Sequence, residues 1–170
     1  MKGGSNQAVE KRQLSIAQWR ALADDGTVIP MRIPLEGDSM RPLIRRGRDP
    51  VTILPLSRKL RRGDVVLFEN PPGRYVVHRV YRLKDGAVQT LGDNCWNPDP
   101  WMAEKQVLGQ AVQAERNGRK IPLDNRAARA FGRLWMACHP LRMQYRKLRS
   151  LAGRCYRRII SGREGDGHGE

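Results

Sequence analysis

The chain has 170 residues, 39% of them apolar, with 17 Gly, 11 Pro and a formal net charge of +15. That length suits one domain with a real core, and no run approaches the ~20 consecutive apolar residues that span a bilayer. The charge is uneven: residues 1–125 carry a net of +7, and residues 126–170 a net of +8, with 11 Lys/Arg against 3 Asp/Glu. Such asymmetry points to an anionic partner, whether nucleic acid, a lipid surface or an acidic protein. The opening Met1 to Gln7 has no apolar stretch of the secretory kind, so the cytoplasm is the expected compartment. Cys95, Cys138 and Cys155 read as free thiols of a reducing setting, and no Cys/His spacing suggests zinc; no cofactor is expected. Cys138 and Cys155 on one straight helix would stand roughly 25 Å apart, too far to bridge.

In chain order, residues 8–23 lack Pro and Gly and place Leu14, Ala17, Ala21 and Leu22 near one helical face, so a short helix is predicted, ended by Asp24-Asp25-Gly26. From Thr27 the pattern becomes β. Met31, Ile33 and Leu35 alternate with Arg32 and Pro34, and the prolines predict an edge or bulged strand. Five further runs read as strands: Val51–Leu54, Asp64–Phe68, Arg74–Arg82, Ala87–Leu91 and Gln106–Glu115. Pro55, Gly63, Pro71-Pro72-Gly73, Asp85-Gly86 and Asn117-Gly118 punctuate them, and Asn117-Gly118 before Lys120-Ile121-Pro122 reads as a hairpin turn. From Arg126 to Ile160 the period is helical, with Leu134, Cys138, Leu141, Tyr145, Leu148, Ala152, Cys155 and Ile159 forming one apolar stripe that Pro140 breaks or kinks. The expected organisation is an N-terminal helical segment (1–26), a mainly β domain built as a small mixed sheet or barrel (27–125), a basic amphipathic helical region (126–163) and a disordered tail (164–170).

Ser39 lies in Gly37-Asp38-Ser39-Met40-Arg41-Pro42, between two turn-formers. Taken alone it reads as a turn serine. As a nucleophile it would need a base within hydrogen-bond reach. His168 falls in the tail and His139 in the basic helical region, so His78, inside a β run, is the candidate base; its bland alternative is a histidine packed in a sheet. In Leu91-Gly92-Asp93-Asn94-Cys95-Trp96-Asn97-Pro98-Asp99 two carboxylates flank a turn, and either Asp93 or Asp99 is able to accept a hydrogen bond from an imidazole. An Asx-rich turn accounts for the same residues.

Together these segments resemble the superfamily of type I signal peptidases and repressor-type serine peptidases. Gly37 to Pro42 is similar to its nucleophile box, Arg61-Arg62-Gly63-Asp64-Val65-Val66 to its Gly-Asp-Val-Val strand, Val77-His78-Arg79-Val80 to its general-base box, and Gly92-Asp93-Asn94 with Asp99 to its downstream acidic box. The likeness covers about residues 27–112. Many members carry lysine where this chain has His78, so the resemblance is to the histidine-base, endoplasmic-reticulum branch. It implies a peptidase fold in which Ser39 is the nucleophile, His78 the general base, Asp99 the orienting acid and Asp93 a structural or supporting one, with the Ser39 amide as oxyanion donor. Gly37 stands where many signal peptidases have a serine that helps hold the oxyanion.

The function expected on these grounds is a serine endopeptidase acting on a leader-like peptide or a specific protein. The rivals are a catalytically silent binding module of the same fold, and a repressor-like autoprotease, for which residues 1–26 are short as a DNA-binding domain. The basic helical region is expected either to pack its stripe on the β domain or to dock peripherally on an anionic membrane; nucleic acid is the less favoured partner.

Overall fold

In a computed structural model of the chain the described residues are 15–70 and 74–163, with side chains described as far as residue 152. The expected tail (164–170), residues 8–14 of the expected helix, Pro71-Pro72-Gly73 and the Cys155 and Ile159 side chains lie outside that set. The fold is mainly β: an N-terminal helix, a curled antiparallel half-barrel sheet and two C-terminal helices.

Helix α1 spans Ile16–Asp24. Ser15 caps it by accepting from the Gln18 amide, and the Gln18 side chain returns a bond to the Ser15 amide, which satisfies two otherwise orphaned donors. Its one buried side chain, Trp19, donates from Nε1 to the Ile29 carbonyl at 2.7 Å and fixes the helix on the sheet.

The sheet runs β1 (Met31–Ile33), β2 (Val51–Pro55), β7 (Val107–Arg116), β3 (Val65–Asn70), β4 (Arg74–Lys84), β5 (Ala87–Leu91) and β6 (Met102–Ala103), with β8 (Arg119–Pro122) also paired to β7. Every pairing among the described residues is antiparallel. The proline-flanked β1 is an edge strand, the position where a missing N–H costs no ladder bond. Asn117 (φ 50°) and Gly118 (φ 76°) both sit in the left-handed region, as the expected hairpin turn requires; Asp85 and Gly86 do the same between β4 and β5. Strand β6, two residues long, has no counterpart in the sequence pattern.

Pro140 does break the helical region. Helix α2 (Arg126–Ala137) is capped by Asn125, whose side chain accepts from the Ala128 amide; it ends at Cys138, and α3 (His139–Arg163) begins with Pro140 in its first turn, where no i−4 bond is lost. No helix among the described residues is long and apolar enough to cross a membrane.

The main apolar core joins Trp19, Met40, Ile44, Val51, Ile53 and Leu67 with inward residues of β7, and a second cluster gathers Val66, Phe68, Val80 and Val88. Between sheet and helices lies a buried charge pair. Arg79 Nε donates to Asp93 Oδ1 at 2.9 Å and Nη2 to Oδ2 at 2.8 Å, with both side chains 1% exposed. The third donor, Nη1, reaches the Gly63 carbonyl at 2.8 Å. Helix α2 covers this pair at Gly132, where a β-carbon would come within 2.5 Å of Arg79 Nη1.

Removing one member of such a pair leaves a buried charge without compensation. We expect Asp93→Asn to lower folding stability by about 3–5 kcal/mol, read from urea unfolding; an unchanged midpoint would contradict this role.

Candidate active site

The loop that carries Ser39 follows the edge strand β1. Met40 and Ile44, each 1% exposed, plug it into the core, while Ser39 between Asp38 and Met40 stays half-buried and borders a cleft. Behind it, Arg116 Nη2 donates to the Leu43 carbonyl at 2.7 Å and to buried Asp49, which Arg45 also grips. Burial works against the Asp49 charge, but the two guanidiniums hold its carboxyl well below the usual range. In front, the Asn94 amide donates to the Ser39 carbonyl at 2.7 Å and Asn94 Nδ2 to the Asp38 carbonyl at 3.2 Å. The loop is thus tied to the turn that follows β5.

Strand β4 supplies His78 and Arg79, which strand alternation sends to opposite faces. Arg79 goes to Asp93; His78, 7% exposed, has the Phe68 ring edge-on at 6.0 Å. His78 Nδ1 lies 2.7 Å from Asp99 Oδ2. That carboxylate is itself fixed: Thr90 Oγ1 donates to Oδ2 at 2.6 Å, the Asp99 amide donates to the Thr90 carbonyl, and Gln89 Nε2 donates to the Asp99 carbonyl. Because a carboxylate only accepts, Nδ1 carries the proton, and in the neutral ring Nε2 is left as the basic atom.

Nε2 faces the Ser39 loop across Gly92. A β-carbon on Gly92 would stand 2.9 Å from His78 Nε2, 2.9 Å from the Ser39 carbonyl oxygen and 2.6 Å from Cys95 Sγ. Only glycine lets these groups approach so closely. Ser39, His78, Cys95 and Asp99 line one cleft of about 750 Å³. Among the described residues no hydrogen bond joins Ser39 Oγ to His78, and the Ser39 amide donates to no other group.

The structure therefore brings Ser39, His78 and Asp99 to one cleft and sends Asp93 to a different task. Asp93 is 1% exposed, spends its side chain on Arg79, and its carbonyl accepts from Trp135 Nε1 and Arg142 Nη1. Two contributors went unread in the sequence. Thr90 offered no signal beyond a β-run threonine. Cys95, taken only as a free thiol, lies two residues beyond Asp93 in the acidic turn, which is the one hint that it faces the histidine. Among the described residues no group of three or more His, Cys, Asp or Glu is arranged to hold a metal ion. No protein-family model matches the chain, and no curated protein matches it.

Electrostatics set the protonation state of His78. Burial disfavours the imidazolium, but the hydrogen bond to Asp99, aided by the Cys95 side chain, outweighs it and raises His78 from 6.5 to about 9. An unpaired histidine titrates at ~6.5, and His78 is paired. At pH 7 only about one ring in a hundred is neutral. Because the folded value exceeds the unfolded one, pairing of the cation stabilises the fold fully below pH ~6.5, and that contribution is lost as pH rises through about 9. We expect the His78 imidazole resonances to titrate near 9, and the Asp99→Asn variant to move that titration down toward ~6.5; a wild-type titration at or below 6.5 would contradict the pairing.

Proposed function

We propose that the chain is a serine endopeptidase in which Ser39 attacks, His78 carries the proton and Asp99 orients His78. The observation that carries this reading is the part-buried His78–Asp99 hydrogen bond of 2.7 Å, at the margin of a cleft that Ser39 also borders. A histidine packed merely as a sheet residue has no need of an aspartate fixed by three further hydrogen bonds, one to its carboxylate and two to its backbone.

In the reaction so read, neutral His78 accepts the Ser39 hydroxyl proton at Nε2 while Oγ attacks the scissile carbonyl carbon. Asp99 stabilises the imidazolium that results. The oxyanion accepts from the Ser39 amide, which has no other claim on it among the described residues. Collapse expels the amine, protonated from Nε2, and water then hydrolyses the acyl-serine by the same route in reverse.

The cleft favours an extended peptide. The β4–β5 ladder starts at Arg79 opposite Leu91, so Arg74–His78 is paired on one side by β3 and leaves its other edge unpaired by β5. The segment from Ile33 to Ser39 borders the same cleft. A peptide laid between them gains backbone hydrogen bonds from a strand edge and side-chain contact with Leu35 and Val76. A leader-like or other flexible segment of a protein is the substrate class this suits.

One observation favours a second nucleophile. Cys95 Sγ shares the neighbourhood of His78 Nε2, and a thiol is intrinsically the better nucleophile. Single variants separate the two readings. In a peptide-cleavage assay we expect Ser39→Ala and His78→Ala each to lose about a thousandfold or more in kcat and Asp99→Asn about a hundredfold or more, with Cys95→Ala remaining active. The kcat/KM of the wild type should rise about tenfold per pH unit from 7 toward 9, as neutral His78 accumulates. Full activity in Ser39→Ala, or its loss only in Cys95→Ala, would overturn the serine assignment. Gly37 supplies a gain-of-function test: its φ is ordinary and a β-carbon there meets nothing nearer than the Ser39 amide nitrogen at 4.0 Å. A serine hydroxyl at that place would add an oxyanion donor, so Gly37→Ser should raise kcat by about tenfold.

A further inference from the structure

Helices α2 and α3 touch the body through one face only. Gly132 and Met136 of α2, and His139 and Met143 of α3, are buried. His139 Nε2 donates to the Cys95 carbonyl at 3.0 Å, and Arg142 and Arg146 reach the carbonyls of Asp93 and Asn94. The apolar stripe lies outside that buried face. Leu134, Leu141, Tyr145 and Leu148 are 64–73% exposed, and Phe131 and Leu151 each 49%. Packing of the stripe against the β domain, one of the two expectations from sequence, is not what the helices do: their buried face is made of other residues.

Six large apolar side chains exposed together along two consecutive helices form the kind of patch that marks an interaction surface. What surrounds it selects the partner. Arg126, Arg133, Lys147 and Arg149 are exposed on the same helices, and no Asp or Glu occurs from Arg126 to Arg163. Trp96, 43% exposed beneath the Arg146 guanidinium at 4.9 Å, adds an aromatic of the type that sits at a water–hydrocarbon boundary.

We infer that this face docks on an anionic phospholipid bilayer, with the leucines in the acyl boundary and the cations among the headgroups. A second copy of the chain fits poorly, because a two-fold pairing of these helices brings one acid-free, basic rim against another. Nucleic acid would engage the arginines but has no use for four exposed leucines. The surface also has a place relative to the site. A cleft of about 460 Å³ is lined by Leu141, Tyr145 and Trp135 on the helix side and by Arg41 and Pro42 on the other, respectively two and three residues from Ser39. Docking through α3 therefore sets the nucleophile loop beside the bilayer surface, where membrane-linked peptides are concentrated.

The test is co-sedimentation of the full chain with vesicles of phosphatidylcholine alone or mixed with phosphatidylglycerol. Its result does not depend on the peptidase reading, because Ser39→Ala should bind as wild type does. We expect binding to the anionic vesicles, weakened by salt, and at least about tenfold weaker binding by Leu141→Glu/Leu148→Glu. Both leucines are exposed, so unfolding temperature should be unchanged; Leu141→Ser/Leu148→Ser is the milder pair should the charged one misfold. Absence of binding, equal binding by the leucine variants, or a dimer that those variants dissolve would overturn the proposal. So would binding confined to nucleic acid, with its steep salt dependence.

Discussion

The buried Arg79–Asp93 pair is the constraint on which the rest of the molecule depends. It joins a central strand, β4, to the turn after β5, and almost everything near the cleft is attached to that turn. The Asn94 amide and side chain hold the Ser39 loop. The Asp93 carbonyl receives Trp135 from α2 and Arg142 from α3, and the Cys95 carbonyl receives His139. The Gly63 carbonyl accepts from the remaining guanidinium nitrogen, Nη1, so the loop before β3 belongs to the same network. Two charges out of water cost more than their attraction returns unless the other lone pairs and protons are satisfied. Here the bidentate geometry and the third donor meet that condition, and what the pair secures is the placement of one turn.

Two acids six residues apart consequently have different lives. Asp93 is sealed beneath α2 and matched to an arginine that is always charged, so its charge is structural. Asp99 is 18% exposed at the cleft margin and matched to a histidine, a partner that unlike arginine is able to lose its proton, here at about pH 9. The strand that provides both partners makes the separation possible, since neighbouring residues of β4 face opposite ways. The same matching has a cost for a base. An acceptor that steadies the imidazolium also keeps the resting ring protonated, so stability and proton acceptance move in opposite directions between pH ~6.5 and about 9.

Much of this was legible in the sequence where the cause is local. Proline on both sides of Met31–Ile33 foretold an edge strand; Asn117-Gly118 foretold a hairpin because so few residues adopt its backbone angles; Pro140 foretold the division between α2 and α3. Strand β6 was not readable, since two residues cannot display a period. Alpha-helical periodicity found the stripe through Leu141 and Tyr145 but not its direction. A stripe announces an apolar face and not what covers it, and Gly132, Met136, His139 and Met143, a less conspicuous set, proved to be the buried side. The candidate site divides in the same way. Ser39, His78 and Asp99 were each nameable as residue types beside turns or within a strand. Their common cleft was not, because it depends on the curl of the sheet and on a turn fixed by Arg79. Cys95 reaches His78 through that turn alone.

The proposed chemistry lies at one oxygen atom, Ser39 Oγ. The measurement that addresses it most directly is treatment of the folded chain with a fluorophosphonate, followed by intact mass and peptide mapping, in wild type and in His78→Ala. A single adduct on Ser39 is expected, formed faster as pH rises from 7 toward 9 and lost in His78→Ala. No adduct on the folded wild type, or one on Ser39 that forms equally well without His78, would contradict it.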